Sequence, residues 1–403
     1  VSPPIPKKLS PNILLLGLVS FLADTSTHMI KPILPAFITA LGGGGLAVGA
    51  IGGLTDAVSS LLKVFAGYWS DRMRRCKPFV FVGYLTSGFF KLLFPLSTMW
   101  QHMMLLMPLE RTGKGLREAP RDAIIAASIE KGSRGRGFGF HRAMDTAGSV
   151  LGSLLAFIFI GHFAWPLRAV LVISALVAFG SVIPVLAIKE PSLAHLHPKT
   201  FRPGLRGLPG PFYRFLAVVT LFGLGNFSYM FLILRAGQFF QPALSIIMPI
   251  LLYILINVIY AALSLPSGIL SDKIGRKKVL LLGYAVFTLT CLGLAFVNGW
   301  SGLIVLFALY GAFRALTDGA QRALAVDLVS ADIRGTALGV FHTAIGLAAL
   351  PASLVAGALW QLAPRWTFLY GGSLGLMATG LLFVLSLRRG MGLGKGGEGK
   401  GSY

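Results

Sequence analysis

Charge is what this sequence has least of. Asp, Glu, Lys and Arg together make up 12% of its 403 residues, against about 25% in a typical soluble domain. That is too little to clothe a water-facing surface, and it argues against an ordinary soluble enzyme. Cysteine is nearly absent: Cys76 in a basic loop and Cys291 in an apolar stretch rule out a disulfide framework. Neither has the neighbours that a metal site or a catalytic thiol needs, so no metal and no cofactor is expected. A nucleotide-binding loop is missing as well, which argues against ATP-driven chemistry. The Gly42 to Gly45 run reads as a flexible turn, not a phosphate cradle. No cleavable leader is expected, since Val1 to Pro11 reads as a short polar lead into the first apolar run.

What is present is apolar sequence in long runs. Hydrophobic residues are 55% of the chain. Runs of this length can cross a bilayer only as helices or closed barrels, and their length selects helices. Twelve spans are expected, at 12–40, 46–69, 78–98, 102–128, 137–161, 167–187, 213–238, 243–270, 279–298, 302–326, 335–360 and 366–387. The fold class is therefore an all-α integral membrane protein of two six-helix bundles. The expected divisions are an N-terminal bundle over 1–188, a linker over 189–211, a C-terminal bundle over 212–389 and a disordered tail over 390–403.

The net charge of +22 invites a nucleic-acid reading, but its distribution argues against one. Of 36 Lys and Arg, 23 fall in the termini and alternate loops that share one side, two (Arg168 and Arg365) in the opposite loops, and 11 within spans. By the positive-inside rule the termini and linker are cytoplasmic. A multi-pass protein of the inner (plasma) membrane is expected, with the lipid bilayer as its surroundings and no nucleic-acid partner.

One span breaks the apolar rule. From Glu110 to Asp122 the chain carries seven charges: Glu110, Arg111, Lys114, Arg117, Glu118, Arg121 and Asp122. At helical spacing they share an arc of roughly 140°. Small residues such as Gly115 and Ala119 occupy the other face and allow close helix approach. Charge inside a bilayer costs several kcal/mol unless it meets a partner or a wet cavity, so this helix must line something polar. The alternative for Lys114 and Glu118 is plain i,i+4 neutralisation. Arg117, Arg121 and Asp122, near the helix end, are alternatively buttresses for the loop at Asp71.

Other spans carry matching polar stripes. Asp24, His28 and Lys31 share one face of span one, and Asp56 and Lys63 one face of span two. Arg142 and Asp145 lie on span five, Asn226, Tyr229 and Arg235 on span seven, and Arg314 and Asp318 on span ten. These are the candidates for a central substrate cavity. His28 reads equally well as a packing residue, and His141, near a helix start, reads as interfacial.

The two halves also repeat. Gly67, Asp71, Arg72 and Arg75 follow span two, and Gly268, Asp272, Lys273 and Arg276 follow span eight at an offset of 201 residues. Arg134 and Arg334, each preceding a glycine, open spans five and eleven. Such duplication means a parallel repeat about an axis along the membrane normal. With this loop in both halves, the chain resembles the major facilitator superfamily over nearly its whole length. Phe21 to Asp24, Pro32, Pro35 and the Gly113 to Asp122 stretch resemble bacterial permeases related to drug/proton antiporters. The fifth span differs from the antiporter pattern, with Ser153 after Gly152 where those carry proline.

The expected function is secondary transport of a small, anionic or amphiphilic organic molecule by alternating access, with protons as the coupled ion and a monomer as the working unit. Export is the first reading. Import or facilitated passage of an organic anion, such as a siderophore-like polycarboxylate, is the second, and a transporter-derived sensor or scaffold the third. Asp24 is the expected proton-coupling carboxylate, Arg111 its switchable partner and His28 the alternative titrating group, since an imidazole titrates near neutrality. The resemblance implies a cytoplasmic gate at the two repeated loops, with Asp71 near Gly335 and Asp272 near Gly137.

Overall fold

The structure is a computed structural model that describes residues 10–73, 75–128, 134–190, 207–330 and 333–387, leaving aside the side chains of Tyr68, Asp71 and residues 134–136. Most of the linker and the whole tail expected from the sequence lie outside those residues, as does any side-chain contact of Asp71. Among the described residues every regular element is a helix.

Eleven of the described helical segments are long and apolar enough to cross a membrane. The twelfth expected span is the charged helix Trp100–Ala127, which runs unbroken for 28 residues through Pro108 and Pro120. Three spans differ from a single rod. Span one is Pro11–Ile30 followed by Leu34–Ala40, parted around Pro32, where the missing N–H ends one helix and a second proline, Pro35, starts the next. Span six parts at Ser181. Span seven is Gly210–Gly225 followed by Met230–Gly237, so residues 226–229 lie unwound in mid-span.

Glycine sets how closely the spans approach. Span five, Arg134–Phe157, lies on span one at Gly148 and Gly152; a Cβ on Gly152 would stand 2.1 Å from the Thr25 carbonyl oxygen. Spans three (Lys77–Leu93) and four meet through Gly83 and Gly113, each backbone against the other. The first six spans and the last six touch chiefly along two seams, with a smaller contact of span seven on spans one and two. One joins span two (Gly45–Met73) to span eleven (Arg334–Leu362), where a Cβ on Gly49 would stand 2.1 Å from the Ser353 carbonyl oxygen. The other joins span five to span eight (Ile247–Ile274), where Arg142 bonds the Tyr260 hydroxyl.

Span two begins on the side away from the basic loops, so Gly45 against Trp360 and Gly49 against Ser353 close that side. The basic-loop side is different. There the spans part around a cavity.

Candidate functional site

The cavity has a volume of about 600 Å³ and is lined from both halves. Asp24, Lys63, Arg142, Asp145 and Asp318, all expected in the substrate or coupling site, line it. So do Arg117, Glu118, Arg121, Asp122, Gly268, Asp272 and Arg276 from the expected gate. Asp272 is 76% exposed with its carboxylate 3.9 Å from Arg276, so it is not packed on the start of span five in this conformation. Arg72, Arg75 and Lys273 are exposed at the loops, and Gly67 lies close to Ala119 of span four.

Ion pairs stiffen the cavity wall. Glu118 reaches Lys63 at 2.6 Å and Lys114 at 3.5 Å, so the i,i+4 pair is real and also ties span four to span two. Arg121 lies 3.1 Å from Asp122 and donates to Ser20 Oγ at 3.3 Å. Arg276 holds Asp327 at 2.8 Å, joining the loop after span eight to the end of span ten, Trp300–Asp327. Tyr260 sits between two arginines of opposite halves, its ring centroid 5.6 Å from the Arg142 guanidinium carbon and 4.8 Å from that of Arg314.

The seven charges of span four divide. Lys114, Arg117, Glu118, Arg121 and Asp122 line the cavity. Glu110 is 2% exposed and turns toward span three, with Oε1 3.8 Å from Lys91 Nζ and Oε2 3.3 Å from Arg111 Nε. Arg117 donates to Ser87 Oγ at 2.6 Å and stacks 4.2 Å over Tyr84, packing on span three. Lys91 donates to Ser26 and Thr27 of span one, at 2.9 Å each. Arg111 thus pairs with Glu110, and its expected partner Asp24 forms no ion pair among the described residues.

His28, Lys31, Tyr229 and Tyr253 are outside the cavity lining, further along span one from Asp24, and hydrogen-bond one another across the two halves. Asp56 lies among the charges of Arg111, Lys31, Lys114 and Arg314 within span two, and does not line the main cavity. Asn226, at the break in span seven, lines with Arg314 and Asp318 a side pocket of about 90 Å³ that shares Asp318 with the main cavity. Arg235 stands elsewhere. It donates to the Leu294 carbonyl and to Gln238 and stacks on Phe239 at the far end of span seven, outside the cavity lining.

Sequence reading preferred the wrong place for His141, did not join Glu110 to Lys91, and passed over Tyr253 and Tyr260. His141 is not interfacial: it is 4% exposed, 2.7 Å from Ser20 Oγ and 3.5 Å from Asp145. Glu110 with Lys91 forms a buried pair whose signal was available, since Lys91 is a lone cation in an apolar span and needs a partner. Tyr253 and Tyr260 carried no such signal.

The arrangement is a charged cavity between two similar halves, closed at one end, with Ser20, His141 and Asp145 in line along its wall. A family profile for the Major Facilitator Superfamily matches residues 16–259 and 215–400, both halves of the chain. The chain belongs to the Major Facilitator Superfamily. It is 49% identical over 381 residues to an uncharacterised MFS-type transporter of Methanocaldococcus jannaschii, covering 94% of this chain and 95% of that one. A multi-drug resistance efflux pump of Streptococcus pneumoniae is 36% identical over 124 residues, 30% of this chain and 31% of the pump. Among solved structures, the nucleoside transporter NupG superposes with a TM-score of 0.76 at 16% identity, covering 93% of this chain and 98% of that one. The POT family transporter PepTSo gives 0.77 at 11%, covering 95% and 98%. These two likenesses show the fold. Membership of the Major Facilitator Superfamily makes the chain a multi-pass secondary transporter.

Proposed function

We propose that the protein is a proton-coupled exporter of a small organic anion or amphiphile, working by alternating access in the plasma membrane with its termini in the cytoplasm. The observation that carries this reading is Asp24, a carboxylate on the wall of the cavity with no ion-pair partner among the described residues. Arg111 stands nearby in charge terms, held by Glu110. A carboxylate that gains and loses a neighbouring cation during the cycle takes up and releases a proton with it.

The anionic preference is supported by the arginines. Arg142 and Arg314 flank Tyr260 from opposite halves, and a guanidinium fork suits carboxylate or phosphate. Export is supported by the partial likeness to the pneumococcal efflux pump. Sidedness is supported by the charge of the loops around the open end.

The test uses proteoliposomes and a panel of anionic, neutral and cationic compounds selected by thermal shift, because a ligand of the folded state stabilises it. An imposed proton gradient should drive accumulation of the stabilising compound against its own gradient. Asp24→Asn should still bind it and lose gradient-driven flux while keeping exchange. Accumulation only when proton and compound move in the same direction would make the protein an importer instead, the second reading. A fully coupled Asp24→Asn would remove the carboxylate assignment.

A further inference from the structure

Beyond the cavity, on the side away from the basic loops, hydrogen bonds join the two halves. The Tyr229 hydroxyl of span seven donates to the Lys31 carbonyl of span one at 3.2 Å. The Tyr253 hydroxyl of span eight lies 3.1 Å from His28 Nδ1, and His28 Nε2 lies 3.3 Å from Lys31 Nζ. With Lys31 as an ammonium, which can only donate, Nε2 accepts from it, and a neutral imidazole then carries its hydrogen on Nδ1. That hydrogen points at the Tyr253 oxygen. His28 is 7% exposed, which leaves little room for water to substitute for either partner.

We propose that His28, held as the Nδ1–H tautomer, is the latch of this far gate, and that a proton delivered to Nε2 opens it. Protonation makes both ring nitrogens donors. The Nδ1–H bond to Tyr253 persists, but Nε2–H now faces the Lys31 ammonium, donor against donor and charge against charge. Lys31 is the residue that must yield, and it lies in the break between Pro11–Ile30 and Leu34–Ala40, where the backbone is not held by a continuous helix. Its carbonyl carries the bond to Tyr229, so moving Lys31 releases the second cross-half contact as well.

The other charges acting on the ring reinforce this. They are Arg111 and Lys114 of span four and Arg314 of span ten, all cations. Asp24 on span one and Asp56 on span two are the acids that act on this cluster. A proton on His28 therefore adds charge to an already cationic end, and repulsion across the gate favours parting.

The inference rests on alternating access and is separable from the assignment of the coupling proton to Asp24. The experiment places spin labels at Ala40→Cys and Gln241→Cys, exposed positions on the two sides of the gate, with Cys76 and Cys291 replaced by serine, in lipid nanodiscs without added substrate. The ratio of long to short label distances should rise as the pH falls from about 8 to about 5.5, by up to about tenfold per unit for a single proton. His28→Gln, whose amide accepts from Lys31 and donates to Tyr253 but takes no proton, should stay short at both values. Tyr253→Phe should raise the long-distance fraction already at about pH 8. A native gate that ignores pH, or a His28→Gln gate that still opens, overturns the latch. If Asp24→Asn rather than His28→Gln abolishes the movement, the carboxylate keeps its role and the histidine loses this one. If Asp24→Asn uncouples flux but leaves the movement intact, both assignments stand.

Discussion

Glu110 stands between two cations and almost out of reach of water, with Lys91 at 3.8 Å, Arg111 at 3.3 Å and 2% of its surface exposed. Removing one partner of such a buried set leaves charge uncompensated, which costs about 3–5 kcal/mol, whereas replacing the set with apolar groups is often neutral. Glu110→Gln should therefore lower the unfolding midpoint in detergent markedly, and adding Lys91→Met should recover a large part of the loss. Equal midpoints for Glu110→Gln and the unaltered protein would show that the pair does not hold the N-terminal half together. Much of this chemistry was legible in the sequence: seven charges on one arc of a membrane helix had to meet something polar. Which charges meet water and which meet protein was not, because both satisfy the same rule. Glu110 and Arg117 share one edge of the arc and turn to Lys91, Ser87 and Tyr84 on span three, while Glu118 and Arg121 face the cavity.

At the scale of whole helices, close approach between spans one and five depends on Gly148 and Gly152. A Cβ at Gly152 would lie 2.1 Å from the Thr25 carbonyl oxygen, and that atom is backbone and cannot swing aside. Gly152→Ala should cost about 1–3 kcal/mol through overpacking. Gly139→Ala, where nothing lies within 4 Å of the added carbon, serves as the control. Thermal unfolding of both variants in detergent measures the difference, and equal loss at the two positions would sink the explanation. The spans themselves were readable because an apolar run of membrane length has few other fates. Their breaks were not. Pro108, Pro120, Pro266 and Pro351 lie inside continuous helices, yet span seven unwinds at 226–229 without a proline. Neighbouring helices can re-satisfy the freed backbone groups, so proline in a membrane helix does not by itself mark a break.

Across the whole molecule, the two seams between halves differ, and that difference sets which side of the cavity is open. The seam of span two with span eleven is glycine-lined at its far end, with Gly45 against Trp360 and Gly49 against Ser353, while Arg142 and Tyr260 meet across the other. The twofold repeat was visible in the loops at Gly67 and Gly268. The cross-half contacts were not, since residues such as His28 and Tyr253, 225 positions apart, carry no mark of each other in the chain. Gly49 offers the sharpest test of how the halves move. Any side chain there would meet the Ser353 carbonyl at 2.1 Å, so Gly49→Leu must push the far ends of spans two and eleven apart. Unlike Gly152, which packs two helices of the same half, Gly49 packs one half on the other, so the halves can answer by rocking instead of by unfolding. Rocking apart at the far end brings the basic-loop ends together and narrows the cavity at Asp272 and Arg142. Gly49→Leu should therefore increase alkylation of a cysteine placed at Gln241 on the far side and reduce it at Asp272→Cys on the loop side, with little change in unfolding midpoint. A fall in stability with both labelling rates raised would mean that the seam is a fixed structural contact, and the two halves would then have to alternate about some other line.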